Sequence, residues 1–336
     1  VSDPRDAPGA TVQALDVAPI DAPIESAAEP AAPSRESAAA AAHRLDAVGV
    51  LLAAGGAIAF SGKAIIVKLG YRHGVDAVTQ LGLRMLVALP FFLLMGLWAA
   101  RRARPLARGD RGRILLLGFF GYYLASFLDF AGLAYITATL ERLILYLTPT
   151  LVLLIGVVLA RRRPTRTQLL ALAISYAGVL LAFGHDLRAG EGSIAMGSAL
   201  VFGSALSYAI YLFGSGEIVA RVGAVRLTAY ASVVASVLCI AQFLLTRPLA
   251  ALRLPAEVYW LSLLNGTACT VLPVLAVMMG VARIGSSLAA QIGMIGPVST
   301  IVLSLLILHE PMGPWQLAGT VLVLAGVLVV TRVRSA

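Results

Sequence analysis

Apolar runs of about 20 residues, separated by short polar connections, follow one another from residue 47 to the end of the chain. Ten runs lie near 47–69, 75–99, 113–134, 138–160, 167–185, 193–214, 225–246, 256–281, 285–308 and 314–332. Each approaches the ~20 residues that an α-helix needs to cross the hydrocarbon core of a bilayer. Lipid cannot hydrogen-bond exposed backbone groups, so segments of this kind are predicted to be helices. Their uneven Gly, Ala and Ser content suits close contact between helices. The pattern predicts an all-α polytopic membrane protein with ten transmembrane helices.

Residues 1–43 differ. They are rich in Ala, Pro, Asp, Glu and Ser and nearly free of large apolar side chains. Such a stretch cannot bury enough surface to fold and reads as a disordered acidic cytoplasmic tail, either a solvated extension or a partner-binding segment. It lacks the basic start and apolar core of a secretory signal. Whole-chain composition agrees with the membrane reading: 336 residues are 59% hydrophobic and 13% charged, with a mean hydropathy of +0.89. The net charge of +9 does not point to nucleic acid, because the arginines cluster in short connections between apolar runs. Cys239 and Cys269 both fall in apolar runs and read as small buried hydrophobes. No CxxC, HExxH or GxxxxGK pattern is present, so no metal, cofactor or ATP site is expected.

Arginine placement orients the helices. One set of connections holds Arg101, Arg102, Arg104, Arg108, Arg111, Arg113, Arg161, Arg162, Arg163, Arg166, Arg221, Arg226 and Arg283, with Arg35, Arg44, Arg332 and Arg334 at the ends. The opposite set holds Lys68, Arg72, Arg188, Arg247 and Arg253. Seventeen against five places both termini in the cytoplasm, in a cell inner membrane, by the positive-inside rule.

The two halves match at a fixed offset of 148 residues without a gap. Pro149 matches Pro297, Gln168 matches Gln316, and Ala177-Gly178-Val179 matches Ala325-Gly326-Val327. Gly132, Ala134, Ile136, Leu140 and Ile144 match Gly280, Ala282, Ile284, Leu288 and Ile292, and Gly55 matches Gly203. Recurrence of Pro, Gln and Gly in one register sets this apart from chance likeness between Leu/Ala-rich segments. The repeats are expected at 46–186 and 193–333. Five helices per half is an odd number, so the second half is expected to be inverted relative to the first. Inverted repeats mark secondary transporters, with the substrate near the midplane between them.

These features resemble the drug/metabolite transporter superfamily in its ten-helix EamA-type form. The carrying residues are the last helices of each half, QLLALAISYAGVLLA at Gln168–Ala182 and EPMGPWQLAGTVLVLAGVLVV at Glu310–Val330, with one proline in the fourth helix of each half. The resemblance covers roughly residues 47–332 and implies an exporter of small metabolites such as amino acids. It also implies a repeat-end motif of Gln168, Gly178, Glu310, Gln316, Gly319 and Gly326. The first half departs from it, with Arg162 at the position equivalent to Glu310, which points to a structural motif that does not contact substrate.

Charges inside the apolar runs form the candidate site. Lys63, Arg84, Asp129, Glu141 and Arg142 fall at one depth, roughly 5–12 Å from the outer surface at 1.5 Å per residue. A charge at the bilayer centre costs about 2.5–3.5 kcal/mol on insertion scales, so such residues pair or face a polar cavity. Their equivalents, Tyr211, Ser232, Val277, Ala289 and Ala290, carry no charge. Three positives against two negatives leave one spare positive charge. The layer either holds an anionic substrate group, with Asp129 or Glu141 taking the amine of a zwitterionic amino acid, or pairs the helices structurally. Pro149 and Pro297 each free a carbonyl four residues earlier and are helix-break candidates, with Gly293 and Gly296 making the ninth helix deformable. Tyr146, Tyr208, Tyr211 and Asn265 are candidate wall residues, with helix contact as the competing role.

A secondary transporter accounts for most of these features. The alternatives are a facilitator or exchanger of carboxylated or phosphorylated anions and, from another class, a membrane-embedded enzyme. The enzyme lacks a convergent nucleophile–base or metal set in the sequence. Expected partners are the lipid bilayer, a small-molecule substrate and, as an option, a second copy in a homodimer.

Overall fold

The computed structural model describes residues 47–101, 105–159, 165–188, 193–284, 289, 292–293, 295–310 and 313–333, and every regular element among them is helical. In chain order these are α1 Ala47–Arg72, α2 Ala77–Ala100, α3 Gly109–Leu133, α4 Ala138–Leu159, α5 Arg166–Arg188, α6 Ser193–Val222, α7 Ala224–Thr246, α8 Ala256–Ile284, α9 Ile295–Leu308 and α10 Pro314–Val333. The expected acidic tail, Arg161–Arg163, the start of the ninth apolar run and Arg334 lie outside the described residues. Among the described residues seven helices, α1 to α4 and α6 to α8, are long and apolar enough to cross a membrane. Shorter apolar stretches occupy α5, α9 and α10, at Leu172–Leu181, Ile295–Leu308 and Pro314–Gly326.

Local chemistry explains the turns. Gly74 closes α1 at φ +75°, a backbone conformation that costs glycine nothing. Asp76 then caps α2, accepting from the Val78 amide at 3.0 Å and the Thr79 amide at 3.3 Å. Partial burial pushes the Asp76 carboxyl up, but hydrogen bonds from Thr79 and Arg247 and the Arg247 charge outweigh it and hold the pKa below its ordinary value. Gly223, at φ +87°, makes the equivalent tight joint between α6 and α7.

Helices pair across the two halves. α1 lies on α8, α3 on α6, α2 on α7, α5 on α10 and α4 on α9, while α1 also meets α9 and α4 meets α6. Exchanging each helix with the one five places along maps this set of contacts onto itself. Glycines let the pairs approach closely. A Cβ on Gly56 would lie 2.8 Å from Val277, and one on Gly132 2.5 Å from Val201. One on Gly178 would sit 2.7 Å from the Gly319 carbonyl oxygen. The largest apolar cluster, including Val67, Leu81, Phe130, Leu133 and Leu308, joins α1, α2, α3 and α9.

Candidate functional site

Irregular backbone surrounds the centre of the bundle. In α4 the helical ladder breaks at Tyr146–Leu147 and resumes at Thr148. Pro149 has no amide to offer the Leu145 carbonyl, and the Thr148 hydroxyl takes it instead, at 2.6 Å. Both α3 and α8 widen into π-helical turns, at Phe119–Leu124 and Thr267–Val271. Their first residues are 148 apart (267 − 119), so the widening is itself repeated. π-turns carry an extra residue per turn and occur at functional sites. Here they put Tyr122 and its equivalent Thr270 on one wall.

That wall encloses a cavity of about 560 Å³, within the range of small-molecule sites. A neighbouring space of about 330 Å³ shares Phe60, Tyr122, Arg142 and Tyr146 with it. The cavity straddles the pseudo-twofold relation. Phe60 and Tyr208, Arg84 and Ser232, Tyr122 and Thr270, Ser126 and Val274, and Leu145 and Gly293 are equivalent pairs, and all of them line it.

Four of the five predicted charges line this cavity: Lys63, Arg84, Asp129 and Arg142. The fifth, Glu141, is fully buried behind them. Lys63 donates to Asp129 Oδ2, and to Glu141 Oε1 at 3.2 Å. Arg142 Nε stands 3.9 Å from Glu141 Oε2. Arg84 reaches across the halves and donates from Nε to Thr270 Oγ1 at 2.9 Å, with its guanidinium 5.2 Å from the centre of the Phe130 ring. Lys63 and Arg142 both stand near the Phe60 ring, at 5.8 and 5.9 Å from its centre. Buried N–H groups remain without a hydrogen-bond partner at Arg84 Nη1 and at Arg142 Nε and Nη2. Native interiors seldom leave such groups unpaired unless water or a ligand serves them. The arrangement can accept an anion.

The other predicted residues divide. Tyr146, Tyr208, Pro149 and Gly293 line the cavity. Gly296 lines the neighbouring space, close to Ser61, whose hydroxyl donates to its carbonyl at 2.8 Å. Pro297 is buried inside α9. Tyr211 lies outside the cavity lining, stacked on Tyr208 and edge-on to Tyr122, where Gly121 makes room for its ring. Asn265 is fully buried outside the lining, with neither amide atom partnered. In the repeat-end motif, Gly178 packs on the Gly319 backbone. Gln316 Oε1 accepts from the Gly313 amide at 3.0 Å, and Gly326 is buried. The Gln168 side chain lies outside the described residues. Sequence reading missed Ser126, Thr148, Ser204, Met85 and Phe92, which also line the cavity. Small polar and apolar residues inside apolar runs carry no signal of which helix face they occupy.

At the end of the bundle that bears Asp76, Glu310 ties the halves together. Its carboxylate accepts from the Ala138 amide at 3.0 Å, at the start of α4, and from the Ser304 hydroxyl. Lys68 Nζ lies 3.8 Å from Glu310 and donates to the Ile136 carbonyl at 2.9 Å. Arg72 donates to the Leu308 carbonyl at 2.6 Å. His309, just before Glu310, adopts a left-handed conformation at φ +57°.

A two-fold helical bundle around a central, mostly apolar cavity with a few buried charges suits a membrane transporter. The EamA-like transporter family model matches residues 47–184 and 195–332, two segments displaced by 148 residues (195 − 47), and the chain belongs to that family. Its membership is consistent with the wider drug/metabolite transporter superfamily. The uncharacterized transporter YcbK of Bacillus subtilis (strain 168) is 30% identical over 272 residues, covering 79% of this chain and 86% of YcbK. The uncharacterized transporter YetK of the same organism is 22% identical, covering 84% of this chain and 86% of its own. A crystallographically solved chain, 16% identical, superposes with a TM-score of 0.59 over 85% of this chain and 97% of that one, which speaks to fold alone. The protein is therefore a multi-pass membrane transporter.

Proposed function

We propose that the protein is a secondary transporter of small organic metabolites, working by alternating access without ATP, and that an anionic group of the substrate is held by Arg84 and Arg142. The observation that carries this reading is the pair of buried guanidiniums on one cavity, each with N–H groups left unpartnered. Charge-assisted bonds from a planar guanidinium to a carboxylate are among the strongest polar contacts a protein makes. Placement on the pseudo-twofold relation supports access from both sides in turn, through exchange of the two halves' arrangements. In this reading all ten helices cross the inner membrane, the second half is inverted and both termini are cytoplasmic, as the arginine distribution indicates. Outward direction is inferred from the resemblance to the family. An enzymatic role is disfavoured, because the two acids are engaged by Lys63.

Counterflow in proteoliposomes tests it. Vesicles without ATP are preloaded with amino acids, organic acids or sugar phosphates and sampled for exchange of labelled solute. Exchange of at least one carboxylate or phosphate compound is expected, and Arg142→Gln is expected to slow it about tenfold or more while the variant keeps its melting temperature. Exchange confined to amines or uncharged sugars would overturn the anion site.

A further inference from the structure

Resting on the anion-site reading above, we infer that the substrate is an amphipathic monoanion: one carboxylate on an apolar body, without a free ammonium group. Three observations converge on this. The first is charge. Lys63, Arg84 and Arg142 face Asp129 and Glu141, so one net negative charge neutralises the layer. A dianion would leave an excess of the opposite sign.

The second is the state of the acids. Both share Lys63, with Arg142 beside Glu141. A ligand ammonium would meet the unpartnered Asp129 Oδ1 beside the Lys63 ammonium, and a zwitterion bound there would leave the layer's one positive charge unneutralised. A buried excess charge is costly, so the arrangement opposes amines and zwitterions. The third is the rest of the wall. Phe60, Met85, Phe92, Tyr122, Tyr208 and Leu212 supply large apolar or aromatic surface. Three of its hydroxyls already donate to backbone carbonyls: Ser204 to Ala125 at 2.7 Å, Thr148 to Leu145 at 2.6 Å and Thr270 to Asn265 at 2.6 Å. A sugar body would bring several hydroxyls to a mostly apolar wall where the unpartnered Ser232 hydroxyl and Asp129 Oδ1 serve some of them, at a cost on the order of tenfold in affinity for each of the others left unmade. An aromatic or branched aliphatic body fills the same wall favourably.

The test is ligand-induced thermal stabilisation of the purified full-length protein, converted to dissociation constants. The probes are 3-phenylpropanoate, L-phenylalanine, 2-phenylethylamine and glucose 6-phosphate. The first three share one body and differ in charge, and the fourth keeps an anion but changes the body. The expected order puts 3-phenylpropanoate at least tenfold tighter than the other three. Arg142→Gln and, as a second variant, Phe60→Ala are each expected to weaken it about tenfold, in protein whose unliganded melting curve is still cooperative. L-phenylalanine binding as tightly would overturn the exclusion of the ammonium and leave the anion site standing. Glucose 6-phosphate binding as tightly would overturn the apolar body and likewise leave the anion site standing. Stabilisation by none of the three carboxylate- or phosphate-bearing probes would overturn the anion site itself.

Discussion

Lys63 holds two carboxylates on one ammonium, at positions where all three side chains are nearly shut off from solvent. Removing one member of such a group leaves the others charged and unpaired, which costs more than the group contributes as a whole. Lys63→Met is therefore expected to destabilise the folded protein by about 3–5 kcal/mol. Lys63→Met combined with Asp129→Leu and Glu141→Leu is expected to recover most of that loss. Reversible unfolding in detergent, read for the single and triple variants, checks it. A triple variant as unstable as the sum of its parts would show that the three act independently. These charges were legible in the sequence because an ionisable residue inside an apolar run stands out whatever helix face it occupies. Tyr211 and Asn265 fall outside the cavity lining. Depth follows from counting along a helix, but orientation depends on which neighbour the helix meets, and both residues turn away from the cavity lining.

At the scale of elements, length and hydropathy were enough to find the apolar helices, while their internal breaks were only half visible. Pro149 announces the break in α4, because a missing amide is written in the residue itself. The π-helical turns at Phe119–Leu124 and Thr267–Val271 have no such mark. They arise from how α3 and α8 lie against their neighbours, which only the assembled bundle supplies. The contact of α5 with α10 is the clearest element-level test of the repeat. A methyl group on Gly178 would press on the Gly319 backbone oxygen at 2.7 Å and on Leu322 and Val323 at 2.9 Å. Backbone cannot rotate away as a side chain can, so Gly178→Ala is expected to cost about 1–3 kcal/mol by forcing the two helices apart. Gly216→Ala, which meets nothing within 4 Å, serves as the control and is expected to be nearly neutral. Equal melting temperatures for the two variants would remove the close approach of α5 and α10 as a source of stability.

Over the whole molecule, the scaffold is two-fold but its charges are not. The Glu310 cluster shows what the difference does. Glu310, Lys68 and Arg72 link α1, α4 and α9 at the end of the bundle bearing Asp76. Their equivalents 148 residues earlier or later are Arg162, Gly216 and Ala220, so the same clasp cannot be built at the other end. The two ends are tied differently. At the opposite end Arg221 donates to Asp110 at 2.8 Å, one cross-half pair with Arg221 about half exposed, against the several Glu310, Lys68 and Arg72 bonds at this end. The protein is expected to rest with the Glu310 end shut. A hydrogen bond to a charged group contributes about 1.5–3 kcal/mol, enough to shift a two-state equilibrium by tenfold or more. Glu310→Gln keeps the shape of the side chain and removes its charge. With cysteine introduced by Ser126→Cys on the cavity wall and both native cysteines replaced, labelling by a membrane-impermeant maleimide reports opening. From the side carrying Asp76, labelling of Glu310→Gln is expected to run about tenfold faster than in the parent. From the opposite side it is expected to slow or stay level. Acceleration from both sides equally would mean a loosened bundle, and no change from either side would mean that Glu310 caps α4 without setting which end is open.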